Sequence, residues 1–141
     1  MPLVRISIDA SARPETRKAV ASAVYEAMRT TIGIPEGDRF ILFSAHGAAD
    51  WIIDSQFPNV ERSKQFVLIQ ITLSRGRSVE QKQDLYAQIS QCLESPAGIS
   101  PDDVMIVLTE NNLEDWSFGK GEANYVLNPP AWARKAAEGN A

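Results

Sequence analysis

A proline directly behind Met1, Pro2, offers chemistry that no other residue type provides. A small second residue favours removal of the methionine, which leaves the proline nitrogen as a free secondary amine fixed by its ring. Terminal amines titrate at about 7.7–8.0, so this group serves as base or acid near neutral pH without a large shift. A Met-Pro start also serves plain methionine trimming, so the meaning of Pro2 depends on what the fold brings beside it.

Arg75 and Arg77 flank Gly76 at the end of an apolar run and just before a helix start. Side chains two apart on an extended strand point the same way, and two guanidiniums beside the positive end of a helix make a carboxylate-binding site. The plainer alternative is a pair of solvated loop arginines. Asp38 lies in a Gly-x-x-x-x-Asp loop that leads into a strand, where an aspartate often does no more than bond nearby backbone amides. It becomes a catalytic candidate if it meets the terminal amine. Trp116 and Phe118, on alternate positions of Trp116-Ser117-Phe118-Gly119, are suited to wall an apolar substrate pocket or, alternatively, to anchor a loop to the core.

The rest of the composition narrows the field. Cys92 and His46 are the single cysteine and the single histidine among 141 residues. A disulfide, a cysteine metal cluster, a His-based zinc site and a Ser-His-Asp triad are therefore disfavoured, and no metal or organic cofactor is expected. A formal net charge of -4 argues against a nucleic-acid partner, which needs a basic face. No signal-like segment and no apolar run of 18 residues stands out, so a cytoplasmic protein without a membrane partner is expected. Catalysis must then draw on carboxylates, arginines, hydroxyls or the terminal amine.

The elements that position these groups follow from periodicity. Leu3 to Ile8 alternates as a strand, and Pro14 opens a helix to about Ile32 with Val20, Val24, Met28 and Ile32 on one stripe and Gly33 as its stop. Arg39 to Ser44 reads as a second strand, with His46 in the exposed turn that follows. Phe66 to Leu73 is the strongest strand. Ser78 and Gln81 form a capping box for a helix to about Glu94, with Leu85, Ile89, Cys92 and Leu93 inward, and Val104 to Leu108 is a fourth strand.

The halves match at a constant offset of 65 positions. Gly33-Ile34 falls on Gly98-Ile99, Asp38 on Asp103, Val24 on Ile89, and Phe40-Ile41-Leu42-Phe43 on Met105-Ile106-Val107-Leu108. Two βαβ units in tandem, about residues 2–46 and 66–110, explain this. They predict an α/β fold with a four-stranded sheet and both helices on one face. Residues 1–127 then form one domain. Residues 128–141 form a tail that frays or packs on a neighbouring subunit, with Trp51 and Trp132 as loop or interface packing.

Together these features resemble the tautomerase superfamily, and within it the malonate semialdehyde decarboxylase-like group. The likeness runs over roughly residues 2–127 and rests on Pro2, Asp38, Arg75, Arg77 and the stretches "GIPEGDRF", "SRGRSVEQK", "GISPDDVMIVLTEN" and "DWSFGKG". The resemblance implies a homotrimer and a pseudo-twofold that carries Arg75 and Arg77 close to Pro2. It implies a small carboxylate substrate and catalysis by Pro2 with Asp38, Arg75 and Arg77. A protonated Pro2 implies decarboxylation of a small oxo-acid through an enolate. A neutral Pro2 implies keto-enol tautomerisation of a 2-oxo acid such as phenylpyruvate. A Schiff base at Pro2 and a non-catalytic trimeric binding protein are the further alternatives. The cis-3-chloroacrylic acid dehalogenase group of the superfamily uses a histidine on the first helix, and none stands there in this chain, which disfavours that activity.

Overall fold

The computed structural model describes residues 1–139. Strand β1 (Leu3–Asp9) leads into helix α1 (Pro14–Ile32) and strand β2 (Ile41–His46), and a long loop follows. Strand β3 (Val67–Ser74), helix α2 (Val79–Glu94) and strand β4 (Val104–Asn111) repeat the pattern. Two short helices close the described chain, α3 (Asn124–Leu127) and α4 (Ala131–Gly139). No helix among the described residues is long and apolar enough to cross a membrane.

The sheet has the order β2-β1-β3-β4. β1 runs parallel to β2 and β3 parallel to β4, while the central β1–β3 pair is antiparallel. Moving one parallel ladder by 65 positions reproduces the other: Val4↔Ile41 becomes Ile69↔Ile106, and Asp9↔His46 becomes Ser74↔Asn111. In the central ladder the pair Arg5↔Gln70 maps onto itself, so the local two-fold passes there. Gly33 and Gly98 sit at equivalent positions with φ of +66° and +69°, a left-handed conformation that a side chain resists.

Strand alternation and helix periodicity meet in one core. Val4, Ile6 and Ile8 from β1, Val67, Ile69, Ile71 and Leu73 from β3, and Val20, Val24, Met28, Leu85, Ile89 and Leu93 from the helices form one buried cluster. Both helices therefore cover the same face. The opposite face keeps Arg5 and Gln70 exposed at its centre and leaves Leu42, Met105 and Val107 at 52%, 44% and 38% exposure.

Several sequence expectations shift. β2 begins two residues later than expected and runs through His46, which pairs with Asp9 and stacks on Trp51 at 5.0 Å rather than sitting in an exposed turn. Arg39 is drawn out of the strand by a tight turn onto the Gly37 carbonyl, with its guanidinium 4.0 Å from the Tyr25 ring centroid. β4 extends to Asn111 because β3 continues to Ser74 and offers it a partner. Of the tail, residues 131–139 are helical, and the last two residues of the 128–141 segment lie outside the described part.

Asp103 shows what the duplicated aspartate position does where no amine is near. It is buried, and it accepts from the Ser63 amide and the Ser63 hydroxyl, both at 2.6 Å. Asp103→Ala strips a charged acceptor from both donors and is expected to destabilise the fold by about 3 kcal/mol. Urea unfolding measures it, and a loss under about 1 kcal/mol would contradict this anchoring role.

Candidate active site

The chain terminus is lodged in the fold. Pro2 is buried at the mouth of β1, where its missing N–H leaves no ladder bond unmade. The Met1 amine just beyond it donates to the Tyr125 hydroxyl at 2.8 Å and lies 3.6 Å from Asp38 Oδ2. Asp38 thus meets a terminal amine, the condition that separates it from its duplicate Asp103.

α1 fixes the Asp38 turn. Tyr25 is buried on that helix, and its hydroxyl accepts from the Gly37 amide at 3.0 Å. Asp38 N bonds the Pro35 carbonyl at 3.2 Å, which closes the loop and aims the carboxylate at the terminus. Asp38 Oδ1 is buried without a partner, so the carboxylate retains an unused acceptor beside the amine.

The terminal amine, Asp38, Arg77 and Tyr125 feel one another here. Burial pulls the amine below its ordinary pKa. Asp38 opposes this by attraction and hydrogen bonding, and Arg77 adds to it by repulsion. Burial likewise lowers Arg77, against the attraction of Tyr125, Glu110 and Asp38. Burial and Asp38 push the Tyr125 phenol up, while Arg77 pulls it down. The net shift at the Met1 amine is downward, and the guanidinium remains charged in any case.

The arginines reach the site by a route other than strand alternation. β3 ends at Ser74, and Gly76 at φ +127° breaks the extended backbone between Arg75 and Arg77. Arg77 is half-buried, with Nη1 donating to the Ser74 carbonyl at 2.8 Å, while Arg75 is exposed. Both still line one cavity of about 240 Å³, together with Ile32, Gly33, Gln81 and Trp132. The two guanidiniums therefore share a cleft but face it from different depths.

An aromatic run connects the core to the amine. Trp116 is 8% exposed, and its indole N–H donates to the Ser74 hydroxyl at 2.9 Å. Phe118 lies 5.5 Å from Trp116 and meets Tyr125 edge-on at 4.6 Å. The turn feeding this run is set by Asn112 and Asp115, whose groups cap each other. Phe118 is held further by its amide bond to Asn124 Oδ1 at 2.6 Å. Trp116 is thus an anchor, and Phe118 is the more open of the two aromatics. Sequence reasoning missed Tyr125 and Ser74. Tyr125 lies 124 positions from the amine it touches, between the aromatic run and the tail, so no local pattern marked it.

Known proteins resemble this chain in sequence and in fold. The profile of the family described as tautomerase enzyme matches residues 38–119. The probable tautomerase YusQ of Bacillus subtilis (strain 168) is 31% identical over 126 residues, which is 89% of this chain and 99% of that protein. The crystal structure of FG41 malonate semialdehyde decarboxylase inhibited by 3-bromopropiolate superposes with a TM-score of 0.84 at 38% identity, over 92% of this chain and 98% of that one. A fused 4-OT solved as a symmetric trimer shares the fold, with a TM-score of 0.74 at 24% identity over 89% of this chain and 98% of that one. The chain belongs to the tautomerase family of enzymes.

Proposed function

We propose that the chain, once Met1 is removed, decarboxylates a small 3-oxo acid with the Pro2 amine as its proton-transferring group. The observation that carries this reading is the terminal amine held between Asp38 and Tyr125, with Arg77 close enough to influence it. Pro2 lies one residue behind Met1, about 3.8 Å between Cα atoms, so trimming exposes its nitrogen to the same groups. The likeness to malonate semialdehyde decarboxylase supports the substrate class.

In this reaction Arg77, with Arg75 at the outer edge of the cleft, pairs with the substrate carboxylate and turns it out of the carbonyl plane. The Pro2 ammonium, paired with Asp38, donates its proton to the carbonyl oxygen. The bond to the carboxyl carbon then breaks, its electron pair forms the enol double bond, and CO2 leaves. The enol takes a proton from water at carbon and returns its hydroxyl proton to Pro2, which gives the carbonyl product and restores the ammonium. Phe118 walls the apolar side of the substrate, with Trp116 behind it. Neither metal nor organic cofactor is needed for the electron count.

A second reading is favoured by the depressed amine. A neutral Pro2 removes a proton α to a carbonyl while Arg77 stabilises the enolate, which is tautomerisation of a 2-oxo acid. The two readings give opposite pH limbs. With Pro2 as acid, kcat/KM is flat at low pH and falls as pH rises through the amine pKa. With Pro2 as base, it rises through the same pKa. NMR assays with malonate semialdehyde and phenylpyruvate side by side, repeated across pH, separate them: CO2 release with a falling limb supports the decarboxylase. Enol–ketone exchange with a rising limb replaces it with the tautomerase.

The proposed assembly is a homotrimer. The sheet face opposite the helices leaves Leu42, Met105 and Val107 exposed, and a sheet with one apolar face uncovered seeks a partner. The fused 4-OT trimers of the same fold support three copies.

A further inference from the structure

Two cavities flank the arginine turn, and the Trp132 indole lines both. The inner cleft of about 240 Å³ holds Arg77, Ile32, Gly33 and Gln81. An outer chamber of about 640 Å³ is lined by Asn111, Asn112, Leu113 and Glu114 on one side and by Ala133 and Ala136 of α4 on the other. Arg75, Gly76 and Trp132 line both. Trp132 comes from α4, none of whose described residues is buried, and its side chain is 42% exposed. The ring lies 5.4 Å from the Arg77 guanidinium carbon, close enough for a cation–π contact. Its Cζ3 lies 3.7 Å from where a Cβ of Gly76 would stand, ordinary contact distance.

We infer that Trp132 determines substrate length: its indole is the partition that keeps a carboxylate held at Arg77 from extending its chain into the outer chamber. The inference rests on the inner cleft being the carboxylate site proposed above. A short oxo-acid fits within the cleft. A longer one must displace the indole together with its contact to Arg77. Truncating the side chain joins the two spaces, and each further methylene buried there adds affinity.

Calorimetric titration with propanoate and octanoate tests this without relying on turnover, since neither saturated acid reacts. In Trp132→Ala the ratio of octanoate to propanoate affinity is expected to rise on the order of tenfold, the worth of burying about two more methylenes. Trp132→Phe keeps a planar wall and is expected to leave the ratio near that of the parent. An unchanged ratio in Trp132→Ala, or an equal weakening of both acids, overturns the inference and leaves Trp132 as a prop for Arg77. Failure of both acids to bind any variant overturns it as well. Arg77→Ala is the separate control on the site itself. If propanoate binding survives it, the carboxylate assignment fails and the inference falls with it; if Arg77→Ala abolishes binding while the Trp132→Ala ratio is unchanged, length selection alone is overturned.

Discussion

Pro2→Ala is expected to lower kcat/KM for an oxo-acid by about 10²–10⁴, the range lost with a positioned acid or base, while the melting temperature changes little. Alanine also permits methionine trimming, so the variant keeps a terminal amine. What it loses is the ring that fixes the nitrogen at the mouth of β1, where Pro2 is buried. Its loss therefore reads out positioning as well as proton affinity. Chain that retains Met1 contributes nothing, because its Pro2 nitrogen is an amide and its primary amine is the one held by Asp38 and Tyr125. Activity per molecule must accordingly scale with the trimmed fraction measured by mass spectrometry. Unchanged turnover in Pro2→Ala removes Pro2 from the mechanism.

Arg77→Ala is expected to cost about 1.5–3 kcal/mol in transition-state stabilisation, or roughly 10- to 150-fold in kcat/KM for a carboxylate substrate. Arg77 is half-buried beside the amine and is screened from solvent, whereas Arg75 is exposed and its pairing is screened by water and salt. Arg75→Ala should therefore cost less. A second readout follows from charge. Arg77 lowers the amine pKa by repulsion, so removing it must raise that pKa and move the pH limb of kcat/KM upward. Binding of the unreactive acid propanoate should weaken by a like factor, while its uncharged amide should be indifferent to the change. Equal losses for amide and acid would show that Arg77 does not bind the carboxylate.

Much of this architecture was legible in the chain because its determinants are local. Pro14 at the first helical position, the Ser78–Gln81 capping box and the glycines at 33 and 98 fix their elements within a few residues. The 65-position offset held down to individual ladder pairs, since duplicated strands bury the same alternate positions. The misreadings arose where tertiary contacts outweigh pattern. Arg39 looked like strand until Tyr25 drew it into a turn, and His46 looked like turn until Asp9 and Trp51 claimed it. The Arg75–Arg77 spacing predicted parallel side chains, yet Gly76 turns the backbone, and the two meet one cleft at different depths. Tyr125 and Trp132 were beyond any sequence pattern, because each acts on a residue far away along the chain.

The central claim is that a trimmed terminus delivers the Pro2 nitrogen into this charged cluster as a titrating amine. Nitrogen-15 NMR of protein labelled at proline measures it directly. One secondary-amine resonance that titrates with pH in the folded protein is expected. A proline spectrum made only of pH-independent amide nitrogens would contradict it.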